Sequence, residues 1–383
     1  MQVEENVPAS TFTTLRIGGP TRYLVDAASE RELTDALTFA HERDLPIYIL
    51  GGGSNILVSD AGFAGVMIRP NILDRAVIHD SGSDVVVKAG AGETLDDVVA
   101  WIVENGWWGI ENMSFVPGKL GGAIIQNAGC YGQEIAETVE SVEVYDREQD
   151  EFDTLSKVAC GFTYRHSIFN TTHKGRYIIM AVNLRLAKMG LPNLRYKDVA
   201  NYFALPSVAK ASEGGLHIPT QAQVREAIIE IRKKKGQDPG QFWTAGSFFS
   251  NFKLSSQDFE NLCAKIDKEF SKEKAQELCD LVDKIKAPSD LAPPGGGVNM
   301  TKVPAAWILD ILLGLKGLSV GGAELSQMQV LNVRNTGSAT AADCMNLFKK
   351  ARGIVWEKTG LLLVSEPELV GFSKQELDSY FAL

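Results

Sequence analysis

Metal-binding and disulfide patterns are missing from this sequence. Its five cysteines, Cys130, Cys160, Cys263, Cys279 and Cys344, are odd in number and widely spread, and no Cys-x-x-Cys pair occurs. Zinc-ribbon, iron–sulfur and dithiol redox readings therefore fail, and a reducing, cytoplasmic compartment is expected. The five histidines, at 41, 79, 166, 173 and 217, form neither a His-Glu-x-x-His helix nor a metal triplet. Long apolar runs are also lacking. The longest, Ala305 to Leu315, is broken by Asp310 and falls far short of the roughly 20 residues that span a bilayer. The start, Met1-Gln2-Val3-Glu4-Glu5, is acidic and has no apolar signal core. Positive charge is in deficit: 38 Lys and Arg against 48 Asp and Glu leave a net charge of −10, which repels a nucleic-acid backbone. The one dense basic run, Arg232-Lys233-Lys234-Lys235, reads either as a dipole-favoured helix end or as a pocket for a small phosphorylated ligand.

What the chain has in excess is glycine, 36 of 383 residues against a usual share of about 7%. These glycines follow no collagen period and form no linker tract, so they serve local backbone geometry. The length predicts two or three domains. Ser29 caps a predicted helix over 29–45, with Glu32 completing a capping box and Leu33, Ala36, Leu37 and Ala40 on one face. A buried strand follows at 47–50, then the turn Gly51-Gly52-Gly53-Ser54-Asn55. A second unit repeats the theme: a strand from Val85, a turn at Gly90 and Gly92, and a helix capped by Thr94. Residues 117–132 read as a long turn, 190–220 as a loop or insertion, and 221–235 as an amphipathic helix. Two helices are predicted at 256–269 and 272–286, then a Pro/Gly break at 293–297, the apolar segment 305–313, a helix at about 340–352, and a strand at 361–364. The fold class is α+β.

Glycine turns expose backbone N–H groups that can hold a pyrophosphate. Two clusters qualify: 51–55, and Pro117-Gly118-x-x-Gly121-Gly122 leading to Gln126-Asn127-Ala128-Gly129. Neither is a Rossmann Gly-x-Gly-x-x-Gly nor a Walker loop, so a dinucleotide cofactor held outside those folds is favoured. Several ordered motifs sharpen this. Thr13 to Gly19, Leu50 to Val58, Ile124 to Glu134, Tyr164-Arg165-His166-Ser167-Ile168-Phe169, Ala245-Gly246-Ser247-Phe248-Phe249-x-Asn251 and Glu366-Pro367-Glu368-Leu369 run from residue 11 to about 370. In this order the chain resembles the UDP-N-acetylenolpyruvoylglucosamine reductase (MurB) family.

The resemblance implies a two-part FAD-binding domain of the vanillyl-alcohol-oxidase type plus an α/β substrate-binding domain. NADPH would reduce FAD, whose N5 would deliver hydride to the methylene carbon of an enolpyruvyl ether on UDP-N-acetylglucosamine, giving UDP-N-acetylmuramate for peptidoglycan synthesis. Carried over by motif, Arg165, Ser247 and Glu366 are catalytic: Arg165 against the carboxylate, Ser247 as proton donor and Glu366 beside the enolate-like intermediate. Tyr196, Arg232, Lys235, Asn251 and Gln329 would bind substrate. Tyr196 marks the loop-bearing first type, whereas Gln329 stands where many members have a histidine and cannot take up charge. FAD would meet Leu50, Gly51, Gly52, Gly53, Ser54, Asn55, Pro117, Gly118, Gly121, Gly122, Gln126, Asn127, Gly129, Tyr131, Gly132, Glu134 and Tyr164.

The expected domains are two flavin-binding parts at 1–69 and 70–236, a substrate domain at 237–360 with a helical insertion at 253–297, and a segment at 361–383 that returns to the flavin part. The resemblance makes a monomer the default, with a UDP-sugar and NADPH as its small-molecule partners and no membrane insertion. Rival readings are an FAD-linked sugar or lactone oxidase on the same fold, and a non-enzymatic UDP-sugar or flavin-binding regulator. A nucleic-acid binder has only the 232–235 run in its favour.

Overall fold

A computed structural model describes residues 1–204, 218–285 and 300–382. Contacts divide the chain into two units. The first holds residues 1–7, 21–53 and 64–238, and the second holds 8–20, 54–63 and the chain from 239 onward.

Among the described residues, the first unit contains two large sheets and one two-residue pairing. A four-stranded sheet has the order Val3–Pro8, Pro20–Ala27, Phe63–Pro70, Ile47–Ile49. The helix Glu30–His41 packs Leu33, Ala36 and Ala40 against Val25, Val66 and Ile68 of that sheet. Ser29 caps this helix as its sequence predicts, accepting from the Glu32 N–H at 3.2 Å. The Glu32 carboxylate reaches one residue further back, to the N–H of Ala28 at 2.8 Å.

A five-stranded antiparallel sheet has the order Glu151–Ser156, Val139–Asp146, Tyr177–Ala187, Asp84–Gly90, Arg75–Asp80. Its central strand is almost wholly apolar because it serves two cores. Ile178 and Met180 join the first cluster, while Val182, Leu184 and Leu186 pack with helices Leu95–Glu104 and Leu120–Ile125. Thr94 precedes the first of these helices but does not cap it with its side chain; its hydroxyl is met by Lys119 Nζ at 3.4 Å. The expected long turn at 117–132 thus contains a short helix and a two-residue pairing, Gly129–Cys130 with Gln133–Glu134.

The expected loop at 190–220 carries a helix, Lys197–Phe203, which packs with helix Gln221–Lys234 through Val199, Val224, Ile228 and Ile231. Residues 205–217 of that expected loop lie outside the described residues, as do residue 286 and the break at 293–297.

The second unit has a sheet ordered Thr244–Ser247, Asn332–Asn335, Ala323–Leu325, Ser319–Val320. The helix Ala341–Thr359, longer than predicted, buries Leu347, Phe348, Ala351 and Val355. Phe248 and Phe249 pack on Phe348 with ring centroids 6.2 and 6.1 Å away. Trp307–Leu312 forms a π-helical turn within the apolar segment 305–313. Ser256–Glu269 and Lys272–Ile285 form a hairpin that buries Leu262, Ile266, Leu278 and Val282 in the same core. Residues 361–364 form no strand. They alternate buried and exposed as a strand would, but among the described residues no ladder partner runs beside them. The next segment does pair: Glu368–Val370 lies parallel to Ile56–Val58.

Candidate active site

In the first unit the two glycine clusters lie against each other. A Cβ built at Gly52 would sit 2.5 Å from Gly118 Cα, and one at Gly51 would be 3.5 Å from Gly122 Cα. Only the missing side chain at Gly52 permits so close an approach. Among the described residues, the amides of Gly51 and Gly52 donate to no protein acceptor. A cavity of about 230 Å³ opens beside them, lined by Leu50, Gly51, Asp26, Arg69, Asn71 and Lys119. Undonated N–H groups beside a lysine suit an anionic pyrophosphate, so Leu50, Gly51, Gly52, Gly118 and Gly122 fit the expected FAD cradle. Gly53 takes a left-handed φ of 62°, and Gly121 packs on Ala91. Pro117 and Gln126 are half-buried.

Asn127 has a different task. Its amide donates to Glu134 Oε2 at 2.7 Å and to the Thr163 carbonyl at 3.0 Å, and its oxygen accepts from the Ala136 N–H at 3.2 Å. It holds the 127–136 turn to the segment bearing Tyr164 and Arg165. Three side-chain-bearing residues there adopt left-handed φ values: Asn127 at 43°, Tyr131 at 45° and Arg165 at 60°. Such strain concentrates where a site demands a fixed geometry.

Three cations gather at this turn. Arg165 donates to the Gly129 carbonyl at 3.1 Å and lies 5.5 Å from the Tyr164 ring centroid. Arg232 is buried, donating to the Phe115 carbonyl at 3.1 Å and to Cys130 Sγ at 3.4 Å. Lys235 ends the same helix and lies 5.6 and 5.9 Å from the ring centroids of Tyr131 and Tyr196. Those two rings meet edge to face at 5.1 Å, with Gly132 below Tyr196. Burial pushes the Cys130 thiol up, against the opposing pull of Arg232, Arg165 and Lys235. Burial also pushes up the hydroxyls of Tyr131 and Tyr196. The basic run at 232–235 ends the helix Gln221–Lys234, and two of its members, Arg232 and Lys235, join Arg165 in a cationic cluster.

The second unit assembles the other expected residues. Ser247 ends its strand directly opposite Asn332. It follows Gly246, whose φ of 74° bends the chain into the turn. Phe248 donates its N–H to the Leu331 carbonyl at 2.7 Å and accepts from the Glu366 N–H at 3.0 Å. The backbone thus brings Glu366 to within one residue of Ser247. Gln329 lies in the turn that enters the opposite strand, its carbonyl accepting from the Asn332 N–H at 2.9 Å. Asn251 uses its side-chain oxygen on the Ala305 N–H at 3.1 Å. The Asn55 carbonyl accepts from the Glu368 N–H at 3.0 Å, tying the end of the first glycine cluster, Ser54-Asn55, to the acidic motif.

Several residues here were not singled out from sequence. Asp26 and Arg69 form a bidentate pair at 2.6 Å in the cavity wall. Asp198 pairs with Lys235. The side-chain oxygen of Asn332 is buried, with no hydrogen bond among the described residues. An isolated Asp or Asn carries no spacing signal, so only the fold reveals these.

The sequence profile of an FAD binding domain matches residues 21–152. A second profile, the C-terminal domain of UDP-N-acetylenolpyruvoylglucosamine reductase, matches residues 238–370. The UDP-N-acetylenolpyruvoylglucosamine reductase of Thermobifida fusca (strain YX) is 34% identical over 373 residues, covering 96% of this chain and 97% of that one. The protein of the same name from Pseudomonas aeruginosa is 31% identical over 369 residues, covering 96% and 99%. The crystal structure of the Thermus caldophilus enzyme of that family aligns with a TM-score of 0.61 at 24% identity over 97% of this chain and 99% of that one, a likeness of fold. The chain belongs to the UDP-N-acetylenolpyruvoylglucosamine reductase family.

Proposed function

We propose that this protein is a UDP-N-acetylmuramate dehydrogenase. It reduces the enolpyruvyl ether of UDP-N-acetyl-3-O-(1-carboxyvinyl)-glucosamine to UDP-N-acetylmuramate, with FAD as cofactor and NADPH as reductant. When bound, FAD would supply the hydride chemistry that links NADPH to the methylene carbon of the enolpyruvyl group. The first unit would hold the flavin at the packed glycine turns Gly51-Gly52 and Gly118–Gly122, where the undonated amides of Gly51 and Gly52 suit its pyrophosphate.

The remaining demands fall on side chains. Hydride addition drives negative charge into the substrate carboxylate. Arg165 is the residue assigned to that charge, because a guanidinium fork suits a carboxylate and a fixed cation lowers the barrier. Its left-handed backbone and its bond to the Gly129 carbonyl hold it in place. Ser247 is assigned to give its hydroxyl proton to the neighbouring carbon. A serine is a weak acid, so its position must be fixed, and the bend at Gly246 and the bonds of Phe248 fix it. Glu366, tethered to Phe248, is assigned to polarise the same intermediate. Arg232, Lys235 and Tyr196 are assigned to the substrate diphosphate.

The observation that supports this reading best is the gathering of Arg165, Arg232 and Lys235 about the Cys130 turn of a chain whose net charge is −10. Such a concentration suits a substrate that carries a carboxylate and a diphosphate. The same reading makes the protein a cytoplasmic monomer. The test is anaerobic: the purified protein should be yellow, NADPH should bleach it, and the enolpyruvyl substrate should restore the colour. A flavin that is bleached by NADPH but stays bleached with that substrate would leave the sugar or lactone oxidase reading in its place.

A further inference from the structure

Lys235 carries a carboxylate partner of its own. Asp198, two residues beyond Tyr196 in the first turn of helix Lys197–Phe203, forms an ion pair with it. Both side chains are about one-third exposed, at 32% and 36%. A pair so open to water contributes little to stability, yet it occupies one of three cations gathered for an anion. The Asp198 charge also helps raise the hydroxyls of Tyr131 and Tyr196, after burial, so the carboxylate looks onto the same aromatic pair that flanks Lys235. An ammonium offers three donors and no acceptor. A carboxylate oxygen and a phosphate oxygen therefore satisfy it alike, and two anions on one ammonium repel each other.

We propose that Asp198 is an internal stand-in for the substrate diphosphate. It keeps the Lys235 ammonium in its binding position and gives it up when the UDP-sugar arrives. Asp198 thus sets how tightly substrate and product are held, as a positioning residue acting through Lys235. This rests on the reading of a UDP-sugar substrate. Exchange of one anion for another on Lys235 also makes binding less dependent on salt than a bare cation would be.

The experiment is calorimetric binding of UDP-N-acetylglucosamine to the FAD-loaded protein at several salt concentrations. Asp198→Asn keeps the size and an acceptor but removes the charge. Its Kd should fall about three- to tenfold, and the rise of Kd with salt should become steeper. Asp198→Ala serves the same purpose if the first variant folds poorly, and Asp198→Glu should restore the original affinity. A carboxylate that merely docks the helix predicts the opposite sign. Unchanged or weaker binding by Asp198→Asn, with an unaltered salt slope, overturns the proposal. Binding by the parent protein with no reduction of the enolpyruvyl derivative would sink the proposed activity and leave the Asp198 proposal to be judged by the variants. No binding by any of these proteins would end both.

Discussion

The three consecutive glycines of the first cluster are not equivalent, and two alanine substitutions separate their tasks. At Gly52 a methyl group would lie 2.5 Å from Gly118 Cα and 2.9 Å from Gly118 C and Lys119 N. Carbon atoms prefer about 3.5–4.0 Å, and every clashing atom is backbone, so the two loops must part by about 1 Å. Overpacking of this kind costs about 1–3 kcal/mol. At roughly 2–4 °C per kcal/mol, the apoprotein should melt about 2–12 °C lower. At Gly51 the nearest atom is Gly122 Cα at 3.5 Å, an ordinary contact, and φ is not left-handed. Gly51→Ala should therefore leave the apoprotein within about 2 °C of the parent. Its cost should fall on the cofactor, because the methyl group stands beside an amide assigned to the pyrophosphate. FAD affinity should drop at least about tenfold, or about 1.4 kcal/mol. Melting curves of the flavin-stripped proteins and FAD titration by fluorescence quenching measure the two effects. An unshifted melting temperature for Gly52→Ala would refute the packing argument. Parental FAD affinity in Gly51→Ala would remove this loop from the flavin site.

Three further outcomes follow from other parts of the fold. Ser247→Ala should leave flavin reduction by NADPH nearly intact and cut reoxidation by the enolpyruvyl substrate by at least about 100-fold; stopped-flow traces that slow both half-reactions equally would contradict the assigned role. Hydrogen bonds from Arg176 hold the Asp146 carboxyl below its usual range, so its contribution to stability is present at neutral pH and lost as pH falls below about 4. Asp146→Asn should melt lower at pH 7 and lose less stability than the parent between pH 5 and 3, and parallel melting curves across that range would count against it. Cys263 and Cys279 bring their sulfurs within 3.2 Å across the helical hairpin, sixteen positions apart. Oxidised dithiothreitol should take two electrons and two protons from them to form a disulfide, visible as a loss of about 2 daltons by mass spectrometry and worth up to about 3 kcal/mol. Burial pushes the Cys263 thiol up to about 12, so the reaction should be slow at pH 7 and quicken as pH rises; a mixed adduct in place of the internal bond would refute the geometry.

Local signals were legible wherever the chain's own neighbours decide the structure. Ser29 with Glu32, the apolar face of 95–102 and the paired helices at 256–285 follow from capping and spacing, which act over one or two turns. The glycine clusters point to a pyrophosphate from composition and spacing alone, whereas the contact between them belongs to the fold. Residues 361–364 mislead because a short apolar run, Leu361-Leu362-Leu363-Val364, reports burial and says nothing of a ladder partner. The helix at 197–203 is only seven residues long, too short for its period to stand out, so Asp198 went unnoticed beside Tyr196. The left-handed backbones of Asn127, Tyr131 and Arg165 leave no trace in composition, since tertiary bonds impose them.

The parallel pairing of Glu368–Val370 with Ile56–Val58 joins segments 312 positions apart. At about 5–20 residues per second of synthesis, the apolar stretch Ile56-Leu57-Val58 waits roughly 15–60 s for its partner. Residues 8–20 wait as well, since their unit is completed only by the chain beyond 239. The chain is thus exposed during its own manufacture: its second unit matures only once residue 370 has been made, and a copy interrupted before that keeps an uncovered strand suited to aggregation or chaperone capture.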